Sequence, residues 1–269
     1  MPLAVCATPI GNLDDVTLRV LQELAAADLV LCEDTRRTRI LLSRHGVRAR
    51  LESYHRHNEA SRVTSVLTRL EKGERVALVS DAGLPGVNDP GARLIAAALD
   101  AGFPVTVLPG PSAVETALVA SGLVAERYQF VGYMPRRETD RRAFAAELSR
   151  WPHTVVAFES PRRVSATLGV LAEVMPGRPA AVCRELTKRF EEIVRGTLEE
   201  LASRFPDPPR GEITLVLGSH PATEADVDED AAVAAVAELV AAGVARRQAV
   251  NLVARLSGAS RNSLYRASL

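Results

Sequence analysis

Val76-Ala77-Leu78-Val79 runs directly into Ser80–Gly91, which reads SDAGLPGVNDPG. Four consecutive apolar residues fit a short strand buried on both faces. Gly83, Pro85, Gly86, Pro90 and Gly91 forbid a helix immediately after it. The backbone must therefore leave the strand end through a small-residue loop, longer than an ordinary strand-to-helix connection. Two carboxylates, Asp81 and Asp89, ride on that loop. In an open α/β sheet, ligands sit outside the carboxyl ends of the strands. Glycine there lets bare main chain approach the ligand.

The same alternation recurs along the first half. Leu3–Ala7 is an apolar run ending in Thr8-Pro9-Ile10-Gly11-Asn12. Asp14 or Asp15 is placed to cap a helix through Val16, Val20, Leu21 and Leu24. A strand at Leu29–Cys32 ends in Glu33-Asp34-Thr35-Arg36, and a helix with Ile40, Leu41 and Leu42 follows. Glu59–Leu70 reads as an amphipathic helix. The Val76 strand is followed by a helix near Ala92–Ala101, a strand at Val105–Leu108 and the turn Pro109–Ala113. Ser112 there is placed either to cap a helix through Ala120 or to meet a ligand. Strands alternating with helices predict a parallel sheet with right-handed crossovers.

A second unit reads as a mixed sheet. Its strands are expected at Phe130–Tyr133, Thr154–Phe158, Ala180–Cys183, Phe190–Arg195 and Glu212–Leu217. An arginine-rich helix follows Pro135. Glu224–Asp230 holds five carboxylates and reads as an acidic linker. The tail from Ala231 reads as helical, and from Ala245 it carries five arginines and no acid. The expected fold class is α/β: a parallel amino-terminal sheet over residues 1–115, a mixed sheet over 116–220, and a small helical appendage over 231–269.

Bulk properties narrow the function classes. With 269 residues and 47% hydrophobic content, the chain can bury a sizeable core. Net charge is zero, but the charge is unevenly placed, and of 33 basic residues only Lys72 and Lys188 are lysine. Arginine suits bidentate phosphate contact. Cys6, Cys32 and Cys183 lie in or beside apolar runs without metal-ligand spacing, which predicts reduced, buried thiols, a cytoplasmic protein and no zinc site. The amino terminus lacks the basic and long apolar regions of a signal peptide, and no membrane span is expected.

The three small-residue loops, Thr8–Asn12, Ser80–Gly91 and Pro109–Ala113, should emerge on one edge of a parallel sheet. None carries GxGxxG or GxxxxGKS, which disfavours a pyrophosphate ligand. A small zwitterionic or nucleoside ligand held by main chain fits them better.

Read together, Ala7–Leu13 (ATPIGNL), Glu33–Arg36 (EDTR), Ser80–Gly91, Leu108–Ala113, Phe158–Arg163 (FESPRR), Arg184–Lys188 (RELTK) and Gly211-Glu212 stand in a known order. The chain resembles the bacterial 16S ribosomal RNA cytidine 2′-O-methyltransferases of the tetrapyrrole methylase superfamily, over about residues 3–218 and the helical tail. That resemblance implies two α/β domains with S-adenosylmethionine between them. It implies ribose methylation of a decoding-centre cytidine in 16S rRNA of the 30S subunit, and a homodimer. Superfamily members acting on porphyrins usually carry GDP followed by a tyrosine-glycine step. Here Ser80-Asp81-Ala82-Gly83 stands instead, with no tyrosine, which points to the RNA branch. The alternatives are a small-molecule, tetrapyrrole-type methyltransferase or a non-catalytic ribosome assembly factor.

Carried over position by position, the resemblance implies cofactor contacts at Pro9, Asp81, Ala82, Gly83, Val87, Ser112 and Ala113. It extends them to Tyr133, Met134, Phe158 and Gly211, of which Tyr133 and Met134 fit a core role equally well. For a base acting on the ribose hydroxyl, the candidates are Lys188, Glu185, Asp34 and Glu33. Lys188 needs a lowered pKa to serve, and a Glu185–Lys188 ion pair is the competing reading. RNA contact is expected at Arg36, Arg37, Arg136, Arg162 and Arg261, members of basic stretches suited to phosphate. The tail segment Ala249–Ala254 followed by Gly258–Asn262 has helix-turn-helix pacing, for RNA binding or for packing.

Overall fold

A computed structural model describes residues 3–219 and 229–268. Its first sheet is built from β1 (Leu3–Cys6), β2 (Leu29–Cys32), β3 (Leu51–Ser53), β4 (Val76–Val79) and β5 (Val105–Leu108). The order is β3-β2-β4-β1-β5, and every neighbouring pair is parallel. Residues of β1, β2 and β4 are buried throughout, as their unbroken apolar runs require. Helices α1 (Leu18–Ala26), α2 (Thr35–Arg44), α3 (Glu59–Glu71) and α4 (Ala92–Asp100) supply the crossovers.

One core layer packs Leu3, Leu29, Leu31 and Leu78 against Tyr54, Val66, Leu70 and Leu94. The opposite face packs Ala4, Cys6, Val30 and Val79 against Val20, Leu24 and Leu42. The sheet is thus covered on both faces, and its strand ends are the accessible polar edge.

Local details differ from the expectation. Leu13–Asp15 forms a single 3-10 turn, and α1 begins later, capped by the Thr17 hydroxyl, which accepts from the Val20 N–H at 3.2 Å. The cap is Thr17 rather than Asp14 or Asp15. Asp14 instead pairs with Arg44 at 3.0 Å.

Helix α5 (Ala113–Ser121) starts at the end of β5 but packs on the second sheet. That sheet holds β6 (Tyr128–Tyr133), β7 (Thr154–Glu159), β8 (Pro179–Arg184), β9 (Glu192–Thr197) and β10 (Ile213–Leu217). Its order is β6-β7-β10-β8-β9. The β6–β7 pair is parallel and the remaining pairs are antiparallel, so the sheet is mixed as expected. Helices α6 (Glu138–Ser149), α7 (Val164–Val174) and α8 (Leu198–Arg204) cover one face, and α5 covers the other. Ile10, from the loop after β1, is buried in the layer between α5 and this sheet, with Val156, Cys183 and Leu186. One apolar side chain therefore anchors the first sheet's loop in the second unit's core.

Helices α9 (Glu229–Ala241), α10 (Arg246–Ser257) and α11 (Arg261–Ala267) form a separate cluster around Val236, Val250, Val253 and Leu264. Gly258, left-handed at φ 76°, closes α10, and Ser260 caps α11. The expected acidic linker lies outside the described residues up to position 228. All three cysteines are free and buried. No helix among the described residues is long and apolar enough to cross a membrane.

Candidate active site

Because the first sheet is parallel, the loops after β1, β2, β4 and β5 all leave its carboxyl edge, and the second unit closes over them. Thr8 and Gly83 exchange main-chain hydrogen bonds at 2.8 and 3.0 Å, and the Thr8 hydroxyl donates to the Ser80 carbonyl at 2.9 Å. These bonds lock the β1 and β4 loops side by side. Gly83 has φ 77°, a conformation that a side chain would strain.

The closure is tight. A Cβ on Gly11 would stand 2.5 Å from the Lys188 side chain. The Asn12 N–H donates to the Thr187 hydroxyl at 3.1 Å. On the other side of the cleft, a Cβ on Gly132 would meet the Asn88 side chain at 2.9 Å. The β6–β7 register shifts between Phe130 and Tyr133, and Gly132 has φ 70°. That bulge turns Tyr133 out of the sheet, leaving it 59% exposed. Among the described residues three that are not glycine have positive φ, namely Asn88, Glu185 and Thr187, and all stand on loops that border the cleft.

Two lobes result. One, of about 270 Å³, is lined by Pro9, Ile10, Arg37, Asp81, Lys188 and Glu212 among others. The other, of about 770 Å³, is lined by Glu33, Arg56, Asp89, Tyr133, Arg136 and Arg163 among others.

The first lobe's charges are engaged with one another. Lys188 Nζ donates to Glu185 at 2.8 Å and to Glu212 at 2.9 Å. Burial pulls the Lys188 ammonium down, but its hydrogen bonds to both glutamates outweigh it and leave its pKa raised. That direction is opposite to the one a lysine base needs, and the Glu185–Lys188 ion pair is formed. The Lys188 hydrogen bond holds Glu185 below its ordinary value, which makes it a weak base too. Gly211, at φ 101°, passes so close to Glu185 that a Cβ would lie 2.5 Å from its side chain. The bare main chain leaves room for that glutamate. Asp81 accepts from the Asp34 N–H at 3.0 Å and pairs with Arg37 at 3.5 Å. Burial raises the Asp81 pKa, against the Asp34 N–H and Arg37.

Asp34 caps α2, accepting from the Arg36 N–H at 2.8 Å, and pairs with the Arg36 guanidinium at 2.7 Å. Arg36 holds its carboxyl far below the usual range. Asp34 is therefore a cap and ion-pair partner, and a poor base. Glu33 differs. Burial, then the Asp81 charge, raises its pKa, and among the described residues no hydrogen-bond or ion-pair partner reaches it.

Pro9, Ala82 and Gly83 gather at the locked β1 and β4 loops, with Val87 further along, 49% exposed. Ser112 immediately precedes α5, at its N-cap position, but its hydroxyl donates to the Glu115 carboxylate rather than accepting from main chain, so it is not a side-chain cap. Ala113 begins that helix. Met134 is 2% exposed in the second unit's core. Its main chain reaches the cleft, where its carbonyl accepts from Arg163 at 3.2 Å. Phe158 stacks edge-on with Phe130 and Tyr133, at 4.9 and 5.5 Å between ring centres.

Of the arginines, Arg37 lines the first lobe, Arg36 is exposed on α2 and paired with Asp34, Arg136 lines the second lobe, and Arg162 is exposed on the turn beside it. Arg261 lies apart, with Arg247, Asn251, Asn262, Tyr265 and Arg266 around a surface hollow of the helical tail. Sequence reasoning placed Asp89 on the loop but not in the site. Its pKa is pushed up to about 6, first by burial and then by Glu33 and Asp81.

Comparisons with known proteins agree on one family. Residues 2–202 match the family described as "Tetrapyrrole (Corrin/Porphyrin) Methylases". The ribosomal RNA small subunit methyltransferase I of Mesorhizobium japonicum is 45% identical, covering 98% of this chain and 90% of that protein. The like-named protein of Mycobacterium tuberculosis H37Rv is 47% identical, covering 99% and 94%. That of Escherichia coli O157:H7 is 37% identical, covering 99% and 94%. Among solved structures, the methyltransferase CobJ superposes with a TM-score of 0.63 at 22% identity, over 81% of this chain and 94% of that one. The Thermus thermophilus uroporphyrin-III C-methyl transferase complexed with S-adenyl homocysteine gives 0.58 at 20%, over 81% and 97%.

Proposed function

The chain belongs to the tetrapyrrole methylase family, and from that premise we propose that it is an S-adenosylmethionine-dependent methyltransferase acting on the ribose 2′-hydroxyl of a cytidine in 16S ribosomal RNA. The observation that carries this reading is the 45% and 47% identity, over nearly the whole chain, to proteins named ribosomal RNA small subunit methyltransferase I. The fold likeness to porphyrin and corrin methylases stands at 20–22% identity and supports the fold alone. A decoding-centre cytidine, the 30S particle as substrate, a homodimer and a cytoplasmic location belong to the same proposal. So does the division into two α/β domains and an RNA-binding tail.

The residues present suit the cofactor. Gly83 at φ 77° and the main chain of the locked Thr8–Gly83 pair offer bare amides and carbonyls at a strand edge. Pro9 and Ala82 line the first lobe beside that edge, and Tyr133 and Met134 line the second; Val87, Ser112, Ala113, Phe158 and Gly211 complete the proposed set of cofactor contacts. When bound, the cofactor supplies an electrophilic methyl group on a sulfonium. This chain's part is to exclude water, align the hydroxyl and hold its proton. Basic side chains at Arg36, Arg37, Arg136, Arg162 and, in the tail, Arg261 are the proposed phosphate contacts.

The test is transfer from methyl-labelled cofactor to purified 30S particles and, in parallel, to a porphyrinogen. The expected product is 16S RNA carrying one ribose-methylated cytidine, located by mapping alkali-resistant linkages. Label on the porphyrinogen alone would assign the small-molecule reading. Binding to 30S with no transfer to either would assign the assembly-factor reading.

A further inference from the structure

The carboxylates around the cleft fall into two groups. Asp34 pairs with Arg36, Asp81 with Arg37, Glu159 with Arg163, and Glu185 and Glu212 with Lys188. Glu33 and Asp89 have no ion pair among the described residues, although Arg56, Arg136 and Arg163 line the same lobe. A carboxylate already held by a cation is a poor acceptor of a substrate proton. The two without a cation face one lobe, Asp89 with a hydrogen bond from the Ser80 hydroxyl, and an aromatic face, Tyr133, stands beside them.

Asp89 is also the better placed and the more firmly held of the two. It lies on the loop that carries the proposed cofactor contacts Asp81–Gly83 and Val87, near enough to Asp81 to feel its charge. Its neighbours on both sides are pinned. The Asn88 carbonyl accepts from Arg56 Nη2 at 2.7 Å, and the Asn88 side chain abuts Gly132. Pro90 is buried. The chain at Asp89 therefore has little freedom to swing, as a positioned base requires.

We propose that Asp89 is the catalytic residue that takes the ribose 2′-hydroxyl proton, and that the lobe it shares with Glu33 and Tyr133 receives the acceptor nucleotide. This deepens the reading above and rests on it. As the 2′-oxygen bonds to the methyl carbon, its proton passes to the Asp89 carboxylate. The carbon–sulfur bond breaks, and its electron pair stays on the now neutral sulfur. Tyr133 gives the nucleobase a stacking face, and Arg56 and Arg136 face the neighbouring phosphates.

The groups facing Asp89 fix its behaviour with pH. They are Glu33 at the end of β2, Arg56 after β3, Ser80 and Asp81 on its own loop, and Tyr133 from β6. Burial, Glu33 and Asp81 raise its pKa to about 6, against Arg56 and Ser80. The ionised, proton-accepting form is lost as pH falls through that value and is complete above it. Removing the Glu33 charge takes away one raising cause, so the transition moves to lower pH.

Three measurements test this on the full-length protein. In single-turnover transfer to 30S particles, Asp89→Asn slows the chemical step by about 10²- to 10⁴-fold, with cofactor affinity by calorimetry and 30S affinity by filtration unchanged. Asp89→Glu restores part of the rate. The wild-type rate rises with pH to a plateau above about 6, and Glu33→Gln moves that limb to lower pH. In the ligand-free protein, the Asp89 carboxyl carbon, labelled with ¹³C, titrates near 6, and lower in Glu33→Gln. The last two readings stand even if Asp89→Asn fails to fold. A wild-type rate in folded Asp89→Asn, or a Glu33→Gln variant that leaves both limb and titration in place, overturns the proposal. If the wild-type protein transfers nothing to ribosomal RNA, the functional reading itself fails and takes this inference with it.

Discussion

Both lobes of the cleft are lined with charge, yet they are organised in opposite ways. Around Lys188 the charges satisfy one another: one ammonium donates to Glu185 and Glu212, and Gly211 is bare so that Glu185 fits. Around Asp89 the acids are half-buried and have no ion pair among the described residues, Asp89 meeting only the Ser80 hydroxyl, while the arginines nearby bond to carbonyls or to other acids. A satisfied network holds the two units together. It has no vacant acceptor for a proton, and pairing has moved its pKa values away from neutrality. An unsatisfied one costs folding free energy, and its raised pKa values lie nearer the range where a base works. On this contrast the first lobe is mainly structural and the second chemical, and each of the following experiments can break that division.

The largest expected effect on stability comes from Arg163. Its guanidinium pairs at 2.6 Å with Glu159, whose side chain is fully buried and also accepts from the Thr167 hydroxyl at 2.5 Å and the Ser160 N–H at 2.6 Å. Arg163→Met leaves that buried carboxylate without its cation and should cost about 3–5 kcal/mol in urea unfolding. If stability holds while cofactor and RNA binding collapse, Arg163 belongs to substrate recognition, and the second lobe has a third working cation beside Arg56 and Arg136.

Next in size is removal of the tail. Helices α9, α10 and α11 pack around their own apolar centre. A chain ending at Ser219 should keep its cofactor affinity and bind RNA more weakly. The log–log salt slope should fall by about 1 for each phosphate that the tail no longer neutralises. Unchanged RNA affinity with altered oligomeric state would make the tail a packing element.

Much of this architecture was legible in the chain. The runs Leu3–Cys6, Leu29–Cys32 and Val76–Val79 are short and wholly apolar, as buried parallel strands require, Val105–Leu108 pairs beside them as a half-exposed edge strand, and small-residue loops at their ends had to share one edge. β3 was not legible: Leu51–Ser53 is three half-buried residues at the sheet's edge, with no run or alternation to mark it. The α1 start went to Asp14 and Asp15 because they are good caps, but Asp14 is held by Arg44, thirty positions on. The site shows the same limit. Loop composition pointed to Asp81–Gly83. Which acids remain free depended on pairings such as Lys188 with Glu212, distant in sequence and invisible to local pattern. That is why Lys188, one of two lysines, stood out, and Asp89 did not.

Asp81 lines the first lobe while its charge acts on Glu33 and Asp89 in the second, so its removal should have mixed consequences. Asp81→Ala loses the hydrogen bond from the Asp34 N–H and the ion pair with Arg37. The expected loss is about 1–2 kcal/mol of stability after allowance for solvent screening. Cofactor affinity, by calorimetry, should fall by at least about tenfold, a change of about 1.4 kcal/mol. The acidic limb of the rate profile should also move to lower pH, because Asp81 is one of the charges that raise Asp89. Unchanged cofactor affinity would confine Asp81 to bracing the β2 loop.

The smallest effect, and the sharpest discrimination, belongs to Lys188→Met. Lys188 and its partners are only partly shielded, with Glu212 65% exposed, so the ion pairs contribute at most about 1 kcal/mol. Two accounts of this lysine part on pH. Its pKa is raised above an already high ordinary value, so it stays protonated throughout the neutral range and cannot accept a proton there. If it is a brace, Lys188→Met leaves the acidic limb at about 6, where Asp89 sets it, and slightly lowers the unfolding midpoint. If it is the base, the limb disappears and the remaining rate no longer depends on pH. A vanished limb in a variant that still binds cofactor would move the chemistry into the first lobe and reverse the comparison between the two.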